Sequence, residues 1–204
     1  AAFARLAEAR PDLLVLGGDY VFLDATPARA RELGRRVAAV PAANKVAVMG
    51  NHDLWTAHAR LEDALAEAGA TVLVNASRRL GGAHAGVAVV GLDDPWTGRP
   101  DADAAFRGVD GADLVVAACH SPAGLSALRG RGAALVLCGH THGGQVALPG
   151  GAPVVLPGGP WARRFPHGVH DWDGATLFVS RGVGGVEVPV RAFAPPDVGV
   201  FEVG

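Results

Sequence analysis

Leu135-Val136-Leu137-Cys138-Gly139-His140-Thr141-His142-Gly143-Gly144-Gln145 is an apolar run that stops at a glycine and opens at once into two histidines. A short run without polar alternation reads as a strand buried on both faces, as in a parallel sheet covered by helices. The same build recurs upstream. Leu13-Leu14-Val15-Leu16-Gly17-Gly18 ends at Asp19, and Val46-Ala47-Val48-Met49-Gly50 ends at Asn51-His52-Asp53. Leu114-Val115-Val116-Ala117-Ala118-Cys119 ends at His120. In a mostly parallel sheet the carboxyl ends of the strands share one edge, and ligands gather in the crevice outside it. Four clusters distant in sequence are thereby expected at one place.

The segments between these runs read as helices. Phe3, Leu6 and Ala7 share a helical face before Pro11, and 26–40 carries a Thr26 cap with Pro27 in the first turn. Leu54 to Ala68 is expected as one further helix, with strands at 71–74 and 87–90 and closing strands at 176–180 and 198–203. The fold class is α/β, in a single domain over 1–204. The chain opens within a helical pattern, which predicts an upstream segment that is lost.

Composition narrows the function. A net charge of −2 with 18 dispersed Lys and Arg residues gives no basic patch for nucleic acid. No apolar stretch reaches the roughly 20 residues that span a bilayer, and no targeting signal is visible. A cytoplasmic protein, or one peripheral to the membrane or cell envelope, is expected. Cys119 and Cys138 sit inside apolar runs and read as buried, unbridged thiols. The sequence is silent on oligomeric state. It has no Gly-x-Ser-x-Gly elbow and no phosphate-binding loop of the Walker type, so serine hydrolysis and nucleotide-driven work lack a basis.

Carboxylate, amide oxygen and imidazole together suit zinc, iron or manganese better than calcium or magnesium. Gly18 and Gly50 permit sharp turns just before Asp19 and Asn51. His140 and His142, at i and i+2, point the same way in an extended segment. Outside this set, Asp93-Asp94-Pro95-Trp96 reads as a turn rather than a rim, and 157–174, with Trp161, Arg163, Arg164, His167, His170 and Trp172, as a surface loop. His58 and His84 read as plain surface residues.

The strings Gly18-Asp19, Gly50-Asn51-His52-Asp53, His120 and Gly139-His140-Thr141-His142 resemble the second to fifth signature blocks of the calcineurin-like metallophosphoesterases. The longer Gly139–Gln145 block, with Val179-Ser180-Arg181-Gly182-Val183-Gly184 and Pro189-Val190-Arg191, is similar to the bacterial YkuE/YaeI-type phosphodiesterase branch. The resemblance implies two packed mixed β-sheets flanked by helices in a four-layer sandwich, the first strand lying upstream. It implies a phosphodiester or phosphomonoester hydrolase using hydroxide activated by two divalent ions (Mn, Fe or Zn), with a substrate that is lipid-linked in part of the branch. Asp19 would bridge the ions, Asn51, His120 and His140 would complete one shell, and His142 would bind the other ion. His52 would serve the leaving group as an acid, and Asp53 would orient it.

One departure matters. The family's first block, Asp-x-His, supplies two ligands to the ion of His142, and no Asp-x-His occurs here. Asp12 precedes its strand and is no substitute. The reading divides between a truncated enzyme, whose chain as given holds one ion, and a non-catalytic metal- or phosphate-binding relative. A metal-dependent hydrolase of a non-phosphate bond also stays open.

Overall fold

The computed structural model describes residues 2–186 and 190–203. Pro189 of the string above lies outside the described residues. Along the chain run α1 (Ala2–Ala9), β1 (Leu13–Leu16), α2 (Pro27–Ala38), β2 (Asn44–Ala47), α3 (Asn51–Leu54), α4 (Ala59–Glu67) and β3 (Ala70–Val72). There follow β4 (Ala76–Arg79), β5 (Val87–Gly91), α5 (Ala102–Ala105), β6 (Leu114–Ala118), α6 (Leu125–Leu128) and β7 (Leu135–Cys138). The last three elements are α7 (Gly159–Arg164), β8 (Gly168–Trp172) and β9 (Ala175–Val179).

β1, β2 and β3 form a three-stranded sheet, and β4-β5-β6-β7-β9-β8 is the order of a six-stranded one. The first sheet is not mixed, as the resemblance implied, but wholly parallel among the described residues. Helical crossovers through α2 and through α3–α4 return each strand in the same direction. The second sheet is mixed because antiparallel strands close both edges of a parallel centre. The β8–β9 hairpin turns through Asp173-Gly174, both at positive φ (53° and 77°), the geometry that suits an Asp-Gly pair.

Three other expectations need correcting. The helix over 54–68 is two helices, because the Thr56 hydroxyl donates to the Asp53 carbonyl (2.7 Å) and the chain restarts at Ala59. The loop 157–174 contains α7 and β8, with Trp172 buried in the core. No strand forms over 198–203.

Thr26 Oγ1 caps α2 at the Arg29 N–H, and Ala30, Leu33 and Val37 on one helical face are buried. Lys45 in β2 is buried as well. Its Nζ donates to Val37 O (3.0 Å) and Ala68 O (3.3 Å), placing a cation at the carboxyl ends of both α2 and α4. Apolar residues of α1, α2 and α4 form one core cluster with β1–β3, and those of α5, α6 and α7 form another with β5–β9. A third, with Val46, Leu73, Leu80 and Val89, joins strands of both sheets. Cys119 and Cys138 are buried and unbridged, and burial pushes the Cys119 thiol up to about 12. No helix of the described residues is long and apolar enough to cross a membrane.

Gly91, at the end of β5, packs tightly on the chain just beyond β2 and β3: a Cβ there would lie 2.3 Å from the Leu73 Cβ and 3.1 Å from Val48 Cγ1. Gly91→Ala is therefore expected to destabilise the fold by about 1–3 kcal/mol through overpacking. Urea unfolding at constant slope measures it, and an unchanged midpoint contradicts this close packing.

Candidate metal centre

The turns after β1 and β2 each need a glycine. A Cβ on Gly18 (φ 89°) would meet Gly50 N at 2.5 Å and His120 Nδ1 at 2.8 Å. One on Gly50 would meet Asp19 Oδ1 at 2.2 Å. Asp19 itself is left-handed (φ 56°), as are His140 (φ 67°) and His142 (φ 52°), and such strain in non-glycine residues collects at functional sites. The contacts of Gly18 and the Gly17 carbonyl connect the loops after β1, β2 and β6. Both sheets thus present their carboxyl edges at one place.

His120 Nδ1 donates to Gly17 O (2.7 Å), which fixes the ring and directs Nε2 inward. Nε2 lies 3.0 Å from Asp19 Oδ2 and 3.2 Å from His140 Nδ1. The ligand atoms of Asp19, His120 and His140 fall within 4.8 Å of one another. Asp19 Oδ2 and Asn51 Oδ1 are buried and accept no hydrogen bond. Buried oxygens without donors are costly, and a divalent cation among them would satisfy both lone pairs and rings. The donor set of two oxygens and two imidazoles fits such an ion.

Burial opposes charge on Asp19, yet His120 and His52 outweigh it and hold the carboxyl below its ordinary range. Burial likewise opposes charge on His120, and Asp19 outweighs it upward. His140 is pushed down to about 4 by burial and by His120. His142 is pushed to about 4 by burial and by Arg191. Both rings are neutral at pH 7, the form that binds a metal.

Asn51, His52 and Asp53 form the first turn of α3. The His52 N–H donates to Asp19 Oδ1 (3.0 Å), and the His52 ring sets Nδ1 3.1 Å from Phe22 O. Asp53 does not orient that ring, contrary to the reading by resemblance. Its wholly buried carboxylate accepts the N–H groups of Asp19 (2.7 Å), Tyr20 (2.8 Å), Val21 (3.2 Å) and Gly50 (3.0 Å). Burial raises the Asp53 carboxyl to about 6 even so.

His142 stands outside the three-residue cluster. Arg191 Nη2 donates toward its Nδ1 (3.3 Å) while Nη1 donates to the His142 carbonyl (3.2 Å). A guanidinium only donates, so the proton of the neutral His142 ring sits on Nε2. The Gln145 amide pairs with both backbone groups of Val186. The segment after β9 thus straps the loop after β7. Arg191 belongs to one of the strings that carry the family resemblance, and nothing in its spacing points to His142. His58, His84, His167 and His170 do not join the cluster.

The Trp96 ring stacks on His140 (centroids 5.8 Å, 22°), and Trp55 meets His52 edge-on (4.9 Å, 79°). Neither was singled out from sequence as part of the site, because an exposed tryptophan after a strand or a short helix carries no spacing signal. Asp93–Trp96 is the expected turn: Asp94 Oδ2 accepts the N–H groups of Trp96 (3.0 Å) and Thr97 (2.7 Å).

The family model of the calcineurin-like phosphoesterases matches residues 1–144, a span that holds the ends of β1, β2, β6 and β7 and the site residues that follow them. The chain belongs to that family. Over 213 aligned positions, 99% of this family member and 74% of the relative, it is 31% identical to phosphodiesterase YaeI of Escherichia coli (strain K12). It is 28% identical to the uncharacterized metallophosphoesterase YkuE of Bacillus subtilis (strain 168), covering 95% of the chain and 68% of YkuE. An uncharacterized metallophosphoesterase of Aquifex aeolicus (strain VF5) is 28% identical over 95% of the chain and 73% of its own length. The family match stops at Gly144, before the strap that holds His142.

Proposed function

We propose that this chain hydrolyses a phosphodiester or phosphomonoester with divalent metal at the centre formed by Asp19, Asn51, His120 and His140. The observation that carries the reading is the Asp19, His120 and His140 cluster, whose ligand atoms lie within 4.8 Å of one another, together with a buried Asn51 Oδ1 that accepts no hydrogen bond. A relative with the printed name phosphodiesterase supports the ester class, and lipid-linked esters fall within it. Helices packed against each of two sheets, with a core cluster that joins the sheets, support the four-layer sandwich reading.

Bound divalent ions supply Lewis-acid charge for the phosphoryl oxygens and a water acidic enough to attack phosphorus. Asp19 holds one carboxylate oxygen inward while the other is fixed by the His52 N–H. His140 and His120 stay in place through the Trp96 stack and the Gly17 carbonyl. His52 has Nδ1 committed to Phe22 O, which leaves Nε2 as the nitrogen that would donate a proton to the departing ester oxygen. Asp53 acts one step back, by holding the Asp19 loop against Gly50. A second ion would take His142 with Asp19.

One observation favours the non-catalytic alternative. Arg191 occupies His142 Nδ1, so a second ion must displace that guanidinium or remove the Nε2 proton. Hydrolysis of bis-p-nitrophenyl phosphate and p-nitrophenyl phosphate with added manganese or zinc separates the two. We expect metal-stimulated turnover that falls at least about 100-fold in Asn51→Ala. Metal binding without turnover of either ester sinks the hydrolase reading.

A further inference from the structure

Large hydrophobic side chains at a surface need a reason when they gather beside a polar centre. Three do so here. Trp96 is 53% exposed with one face on the His140 ring, and Trp55 is 64% exposed with its edge at His52. The half-buried Phe22 ring also meets His52 (centroids 4.8 Å). Each tryptophan is therefore one side chain away from a group assigned to metal or leaving group. Their placement is held by specific bonds: Trp96 by Asp94 Oδ2 at its N–H and by Ser121 Oγ at Nε1 (3.3 Å), directly after His120. Asp94 itself is fully buried.

The charged side of the centre is different. His142 faces Arg191, which also donates to the carbonyls of Arg181 (2.7 Å) and Ala194 (3.0 Å). Apolar rings thus line the His52 and His140 side, and fixed positive charge lines the His142 side. A phosphoester has the matching polarity, with an anionic phosphoryl group at one end and an organic group at the other.

From this asymmetry we propose that Trp96 and Trp55 determine specificity: they receive the organic group of the ester, so the site selects phosphoesters bearing an apolar group of ring size. This inference rests on the phosphoester reading above and narrows its substrate. The exposed face of Trp96 offers a stacking platform, and Trp55, beside His52, lies where the leaving group would depart.

The test compares two monoesters of equal charge, phenyl phosphate and methyl phosphate, by calorimetric binding to the manganese-loaded protein. Aromatic stacking gives an expected preference for phenyl phosphate of about tenfold. Trp55→Ala should reduce that preference, and the Trp55→Ala/Trp96→Ala pair should bring it to within about twofold. Trp96→Phe keeps a ring on His140 and should retain most of the preference. Manganese content, measured in each variant, checks that the centre persists. Equal affinity for the two esters in the parent protein, or a preference that survives the double substitution, overturns the rim while the hydrolase reading stands. Failure of both esters to bind the loaded protein overturns the phosphoester reading and this inference with it.

Discussion

Asp53→Ala should lower the free energy of unfolding by about 3–5 kcal/mol, the range for breaking a buried charged network by removing one partner. The carboxylate accepts four backbone N–H groups, three from the loop after β1 and one from Gly50 at the end of β2. Alanine leaves them all without an acceptor at a fully buried site, and each orphaned donor carries a desolvation cost of about 1–3 kcal/mol before relaxation. Asp53→Asn keeps one acceptor oxygen and turns an NH2 group toward the remaining donors, so it should fall between the parent and alanine. Denaturant unfolding of the three proteins measures the order. If Asp53→Ala matched the parent in stability while losing only turnover, the carboxylate would belong to the chemistry and not to the frame of the loop.

That prediction also marks where sequence stops being legible. The strand ends were readable because a buried parallel strand has an unbroken apolar run and its ligands must follow within a few residues. Asp19, His120 and His140 accordingly meet within one cluster. Asp53 was readable as present and not as placed: one residue after a histidine it suggests a carboxylate–imidazole pair. On a helix first turn, however, its side chain curls back to the Gly50 N–H, and His52 projects toward Phe22. Edge strands were harder still. β4 contains Ser77-Arg78-Arg79, and β8 contains His170-Asp171; pairing on one side alone permits polar sequences that look like loop. The clamp of Arg191 on His142 joins residues 49 positions apart through irregular chain, where no periodicity exists to be read.

His120→Ala should nearly abolish the stabilisation that added metal confers. A ligand that binds only the folded state at 100 times its dissociation constant contributes about 2.7 kcal/mol. Losing an inward ring nitrogen should weaken binding by about 100-fold or more, beyond the 10–100-fold typical of outer-sphere changes, leaving about 0.4 kcal/mol at the same metal concentration. The ring is also the link from Asp19 and His140 to the Gly17 carbonyl, so its removal frees the donors of both sheets at once. Thermal unfolding with and without manganese reads the difference directly, and activity toward bis-p-nitrophenyl phosphate should fall with it. Trp172 offers a control, since Trp172→Phe lies in the core behind α7 and should lower both the apo and the metal-loaded midpoints while leaving the gap between them. A His120→Ala protein whose manganese gap equals the parent's would place the ion elsewhere, and the buried oxygens of Asp19 and Asn51 would then need another partner.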